Sequence, residues 1–298
     1  MAYRNIFIAN TATLSTKNEQ LIIDNGEVFS FPIEDLRCVL IDDYRSTVSA
    51  SVLSKFAEAG VAVLVCNSKH VPTAVINPIN CYSRQLKQIN LQIKQTLPSK
   101  KRLWQQIVSA KVCNQARCLE IMNLYGSDKL LNYATQIKSG DPANVEGSAA
   151  AAYFKSLFGK DFRRDDDIPL NAALNYGYAV IRAIISKTIC LYGFEPSLGI
   201  HHCNELNNFN LVDDIIEPFR PFVDLVVAKT LFDRNSFETA DKALILKSVN
   251  AAIKIDGKKY CVAFAIEKTV QSYAECLKSS SRNLLLPELI NIEYNDYE

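Results

Sequence analysis

Hydrophobic and polar positions alternate from Tyr3 to about Ile76, and this alternation predicts strands. Tyr3-Arg-Asn-Ile-Phe-Ile alternates at once. Gln20-Leu-Ile-Ile-Asp is closed by Asn25-Gly26 before Glu27-Val-Phe-Ser-Phe begins. An Asn-Gly step between two alternating runs predicts a tight hairpin, because both residues tolerate the positive φ such turns require. Leu36-Arg-Cys-Val-Leu-Ile reads as another strand and Val61–Cys66 as a short buried one. Between them Val48, Ser51, Val52, Lys55 and Phe56 recur at helical spacing, which predicts a helix over 46–59 ended by Gly60.

After Asn80 the period becomes helical and stays so. Helices are expected near 80–95, 100–125, 142–158, 170–191, 221–232, 238–253 and 261–278, with a hairpin-like step at Lys254–Tyr260. Pro72 and Pro78 bound the change of period. The chain is therefore expected to be α+β and multidomain, with a β-rich N-terminal domain over 1–76 and a larger all-α domain over 77–298.

Composition adds little until it is divided. At 298 residues, 48% hydrophobic and 22% charged, the chain can bury two cores. Met1-Ala2-Tyr3-Arg4 leads straight into a strand pattern, so no signal peptide is expected. The longest apolar stretch, Leu170 to Leu191, is interrupted by Asn171, Asn175, Arg182 and Lys187, which argues against a bilayer span. Nine cysteines form no C-x-x-C pair, and their odd, scattered placement predicts reduced thiols and a cytoplasmic location. The net charge is only +1, yet eight Lys/Arg and no acid lie between Cys81 and Arg117. Such a segment is either a phosphate-tracking surface or a solvated helix face. Arg84, Lys100, Lys101, Arg102 and Lys111 are its candidate DNA contacts.

Candidate chemistry sits in three places. Asp141-Pro142 predicts a helix start, with Asp as N-cap and Pro at the first helical position. Glu146 then falls in the second turn, on one face with Ala149, Ala150, Tyr153 and Leu157. A carboxylate on that stripe either has a partner or reaches solvent at the stripe's edge. His201 and His202 are two of only three histidines, and the residues alone leave structural and metal-binding roles open. Asp214 and Glu217, three apart, share a helical face while Asp213 points elsewhere. They are either a ligand and a carboxylate that orients it, or an acidic turn complementing a helix dipole. Asn171, Asn175, Tyr178 and Arg182 form a polar stripe, either a core ladder or an active-site wall. Arg220 would bind phosphate or hold the carboxylates. No nucleotide-binding or serine-hydrolase motif is present.

The wording around these residues resembles the CRISPR spacer-acquisition integrase, the universal DNA-inserting subunit of bacterial adaptive immunity. The phrases are Asn144-Val-Glu-Gly-Ser-Ala-Ala-Ala-Ala-Tyr-Phe, Leu198-Gly-Ile-His-His, Asp213-Asp-Ile-Ile-Glu-Pro-Phe-Arg-Pro, Leu103-Trp-Gln-Gln-Ile-Val and Asn171-Ala-Ala-Leu-Asn-Tyr-Gly-Tyr-Ala. The resemblance implies that Glu146, His202 and Glu217 are the catalytic metal ligands, with Asp214, Asn175 and Arg220 around them. Glu217 stands where many members carry Asp, one methylene shorter. Two carboxylates and an imidazole suit Mg²⁺ or Mn²⁺. The implied activity is metal-dependent endonuclease and integrase chemistry, in which protospacer 3′-hydroxyl ends join the CRISPR repeat by transesterification. The implied partners are double-stranded DNA, a second copy through a dimerisation domain at 1–76, and a small ferredoxin-like adaptation protein. The phrasing sits closest to type II systems, whose further adaptation proteins and effector nuclease are additional expected partners. Two rivals remain: a structure-selective metal-dependent DNase of repair, and a non-catalytic DNA-binding scaffold.

Overall fold

The computed structural model describes residues 4–68, 70, 72–76, 82, 84–232, 234–279 and 282–294. Its N-terminal part runs β1 (Arg4–Ile8), β2 (Thr13–Lys17), β3 (Gln20–Asp24), β4 (Val28–Pro32), β5 (Leu36–Ile41), β6 (Thr47–Val48), α1 (Ala50–Ala59), β7 (Ala62–Cys66) and β8 (Pro72–Ile76). One sheet has the order β4-β3-β2-β6 and the other β1-β5-β7-β8. The expected hairpin joins β3 to β4, with Gly26 at φ 102. Helix α1 starts later than expected because Thr47 and Val48 pair with β2. Ser49 caps it through Val52 N–H, and Gly60 ends it at φ 66.

The central parallel strands β5 and β7 are buried on both faces, as their runs of apolar residues require. Val39, Ile41, Val61 and Val63 turn toward Leu14, Leu21, Val52 and Phe56, forming one core. The alternate residues Cys38, Leu40, Ala62, Leu64 and Cys66 belong to the core of the helical part. The sheet is thus a wall shared by two cores. The expected boundary at 76/77 abuts residues 77–81, which lie outside the described residues.

The second part contains α2 (Gln85–Ile93), α3 (Leu97–Ile121), α4 (Ser127–Gln136), α5 (Val145–Phe158), α6 (Pro169–Leu191), α7 (Asn210–Ile216), α8 (Arg220–Thr230), α9 (Thr239–Ser248), β9 (Ala252–Ile255), β10 (Lys258–Cys261) and α10 (Val262–Lys278). It is not all-α. The helix expected over 238–253 stops at Ser248, and the β9–β10 hairpin follows. Asp256 and Gly257, both at positive φ, make its two-residue turn. A further correction concerns α5. Asp141 has φ 46 and lies outside the helix, and Asn144 occupies the N-cap. The Asp141 carboxylate still serves the helix end, accepting the N–H groups of Val145 and Glu146 at 3.0 Å each. Glu146 therefore sits in the first turn, not the second. Helix α4 was not expected, α7 was foreseen only as a helical face without bounds, and a 3-10 turn at Glu217–Phe219 joins α7 to α8. The two long helices α3 and α6 frame the site. Among the described residues no helix is long and apolar enough to cross a membrane, and the described cysteines are free thiols.

Candidate metal and nucleic-acid site

Glu146 from α5, Lys111 from α3 and Glu217 from the turn between α7 and α8 meet in one place. Lys111 Nζ lies 2.5 Å from Glu146 Oε1 and 2.5 Å from Glu217 Oε2. Glu217 is nearly enclosed, with 7% of its side chain exposed. Its Oε1 accepts from Arg220 Nε at 2.9 Å. Its Oε2 is in ionic contact with Lys111 but receives no well-aligned hydrogen bond. Burial pushes the Glu217 carboxyl up, yet Lys111 and Arg220 outweigh it and hold the group below its ordinary value. Burial likewise lowers the Lys111 ammonium, and Glu217 and Glu146 override it and raise the group. Both partners are therefore charged at neutral pH.

His202 faces the same cleft through a second carboxylate. Asp214, on α7, is fully buried. It accepts Ile200 N–H at 2.5 Å, His201 N–H at 3.0 Å and His202 N–H at 3.1 Å. Its Oδ1 also lies 2.8 Å from His202 Nδ1, which directs a ring proton to Nδ1 and leaves Nε2 as the free lone pair. The hydrogen bond to Asp214 raises the His202 pKa above its ordinary value against the effect of burial. Gly199 is required in this loop, since a Cβ there would lie 2.2 Å from the His202 carbonyl oxygen. Trp104 of α3 stacks on His201 at 4.1 Å and meets His202 edge-on at 5.7 Å.

A cleft of about 350 Å³ is lined by Asn175, Tyr178, Ala179, Arg182, His202, Asp213, Ile216, Glu217 and Arg220. Asn175, Tyr178 and Arg182 of the α6 stripe are therefore its wall, while buried Asn171 instead donates to Arg163 O and Asp166 O. Asn175 is held by Arg164 at 2.7 Å, and Arg182 pairs with Asp213 at 2.7 Å. Arg220 lies 4.7 Å above the Tyr178 ring. Behind the wall, Asp224 accepts from Tyr153 at 3.0 Å and from Tyr178, and burial pushes its carboxyl up to about 6. A larger cleft of about 630 Å³ opens near Lys187 and Glu267, away from these acids.

The structure thus brings Glu146, Glu217, Arg220, His202, Asp214 and Asn175 to one region. Among the described residues no three His, Cys, Asp or Glu side chains converge closely enough to hold an ion as they stand. The donor set nevertheless fits a hard divalent cation: two carboxylates drawn to one positive charge, the nearly enclosed Glu217 Oε2 held by an ionic contact alone, and an imidazole with Nε2 free. The basic segment divides. Arg84, at the N-cap of α2, and Lys101, in the first turns of α3, are exposed, while Lys100 reaches into the site loop, donating to Gly199 O at 2.9 Å. Arg102 donates to Arg282 O at 3.3 Å. Lys111 is buried in ion pairs and is not an exposed phosphate contact. A lysine on the stripe of Trp104, Ile107 and Val108 was the available signal for a buried partner to an acid. Trp104 and Asp224 carried no such signal, because their contacts join distant segments.

An acid–imidazole–acid cleft beside a basic helix face is the arrangement expected of enzymes that act on phosphodiesters. The family described as CRISPR associated protein Cas1 matches residues 6–255. The chain is 38% identical over 305 aligned residues to the CRISPR-associated endonuclease Cas1 of Neisseria meningitidis serogroup C (strain 8013), covering 100% of both. Among solved structures it is similar to a casposase bound to integration product, with a TM-score of 0.77, 18% identity, and 100% and 96% of the two chains covered. A Cas6-RT-Cas1–Cas2 complex matches with a TM-score of 0.68 and 17% identity, over 93% of this chain and 35% of that one. The chain belongs to the Cas1 family of CRISPR-associated endonucleases.

Proposed function

We propose that this chain is a metal-dependent DNA integrase of CRISPR adaptation, which joins the 3′-hydroxyl ends of a short duplex to a CRISPR repeat. The observation that carries the reading is the pairing of Glu146 and Glu217 across one cation, with His202 aimed beside them by Asp214. Bound there by Glu146, His202 and Glu217, Mg²⁺ or Mn²⁺ would withdraw charge from the attacked phosphate and favour the alkoxide of the nucleophile.

The protein's own residues do the rest. Asp214 fixes the histidine tautomer, so that Nε2 and not Nδ1 faces the cleft. Arg220 holds Glu217 through Nε and is placed to meet a phosphate with its remaining N–H groups. Tyr178 keeps the guanidinium in place by its ring face. Arg84, Lys100, Lys101 and Arg102 are assigned to the DNA backbone, with Lys100 linking that surface to the histidine loop. In the reaction the incoming 3′-oxygen forms a bond to phosphorus as the bond to the repeat's 3′-oxygen breaks. One proton leaves the attacking hydroxyl and one reaches the departing oxygen, so no outside energy is needed.

Residues 1–76 are assigned to dimerisation, supported by the edge strand β4, where Val28 and Phe29 are 69% and 42% exposed. A Cas2-type ferredoxin-like protein is the proposed bridging partner, on the strength of the complex named above. The test is a labelled short duplex mixed with a repeat-bearing plasmid, Mn²⁺, this protein and that partner, beside His202→Ala. Joined product from the native chain alone is expected. Cutting without joining would favour a repair DNase, and equal behaviour of both proteins would overturn the metal-site assignment.

A further inference from the structure

Lys111 projects from the middle of α3 into a place where an ammonium needs a reason to be. Its two contacts, each 2.5 Å, put Glu146 Oε1 and Glu217 Oε2 no more than about 5 Å apart. Two carboxylates so close and so enclosed repel strongly unless a cation lies between them. Arg220 neutralises the far oxygen of Glu217 and is not bonded to Glu146. Lys111 is thus the charge that reconciles the pair. An ion bound at about 2.0–2.1 Å sets its oxygens roughly 3 Å apart when adjacent and roughly 4 Å apart when opposite. Both oxygens close on the point where the ammonium sits, and an ion touching both would occupy that same point. The ammonium and a divalent ion cannot share that gap.

Resting on the reading of Glu146, His202 and Glu217 as ion ligands, we propose that Lys111 is an internal counter-cation. It holds the two carboxylates in the ion-free protein and must leave them as a divalent ion enters. Ion binding and lysine release are then a single exchange. The exchange also sets affinity, because the incoming ion spends part of its attraction on displacing a buried pair. Lys111 is a positioning residue in this scheme: it orders the acids before the ion arrives and competes with the ion afterwards. A merely structural lysine would do the first and not the second.

The experiment uses the full native chain and two readouts. Mn²⁺ binding is followed by paramagnetic resonance, and the acylation rate of each lysine by peptide mass spectrometry, in EDTA and in Mn²⁺. Slow acylation of Lys111 in EDTA and faster acylation in Mn²⁺ is expected, with exposed Lys101 unchanged. Lys111→Met should melt at lower temperature in EDTA yet bind Mn²⁺ about tenfold more tightly, equivalent to ~1.4 kcal/mol. Lys111→Arg, which keeps the charge, should retain the wild-type affinity more closely. If Lys111→Met is unfolded in EDTA, Mn²⁺ must restore its fold. Mn²⁺ bound with Lys111 still protected, and no gain of affinity in Lys111→Met, overturns the counter-cation alone. A native chain that binds no Mn²⁺ overturns the ion site itself.

Discussion

Asp214→Asn is the perturbation whose cost follows most directly from the geometry. The carboxylate receives four donors, three backbone N–H groups of residues 200–202 and the His202 ring. Asparagine keeps one acceptor oxygen, so two donors lose their acceptor and face an NH₂ group instead. Hydrogen bonds to a charged group are worth about 1.5–3 kcal/mol each, so the loss is about 3–6 kcal/mol, a large share of an ordinary stability. With about 2–4 °C of melting temperature per kcal/mol in chains of this order, a fall of roughly 6–24 °C is expected. The same change frees the His202 ring, and loss of such an orienting partner weakens ion binding by about 10- to 100-fold. Circular-dichroism melts in EDTA and calorimetric Mn²⁺ titration measure both effects. A variant that melts within about 2 °C of the native chain and binds Mn²⁺ equally well would refute the idea that this carboxylate builds the histidine loop.

Other expectations concern neighbouring residues. Gly199→Ala places a Cβ against the His202 carbonyl, so the loop must shift, and both melting temperature and Mn²⁺ affinity should fall; an unchanged affinity would show that the loop has slack. The raised His202 pKa means that in the ion-free protein its charge stabilises the fold at low pH, and this contribution is lost as pH rises through the raised value. Ion binding has the opposite sign, because the imidazolium has no lone pair at Nε2. Mn²⁺ affinity should fall as pH drops, with a midpoint above the ordinary histidine value that moves down in Asp214→Asn. Asp224, raised to about 6 from 3.8, contributes stability that is complete below the lower value and lost as pH climbs through the upper one. The span is about 3 kcal/mol, and melting curves between pH 4 and pH 7 should flatten in Asp224→Asn.

Patterning located much of this architecture, and its limits are physical. The β3–β4 hairpin and Gly60 were legible because local backbone chemistry decides them. Helix α6 was legible because its apolar spacing persists for 23 residues. Helix α7 was not delimited because seven residues carry too few turns for a period, and only the helical face shared by Asp214 and Glu217 was legible. The start of α5 was misplaced because Asp141-Pro142 imitates a cap, while the real one is Asn144 at φ 50. The spacing of Asp214 to Glu217 suggested a carboxylate that orients a neighbour, but its bond to His202 joins two segments and was not legible. Lys111 went the other way. A lysine in a basic run reads as surface, and only the contact with two acids from other helices makes it interior. Trp104 on His201 is a meeting of segments almost a hundred residues apart, which no local pattern encodes.

The most direct measurement is anomalous diffraction from crystals of the native chain grown with Mn²⁺. One strong manganese peak is expected, bonded to Glu146, His202 Nε2 and Glu217 at ordinary ligand distances of about 2.0–2.2 Å. A peak elsewhere, or Glu146 and Glu217 still joined through Lys111 at saturating Mn²⁺, would contradict that assignment.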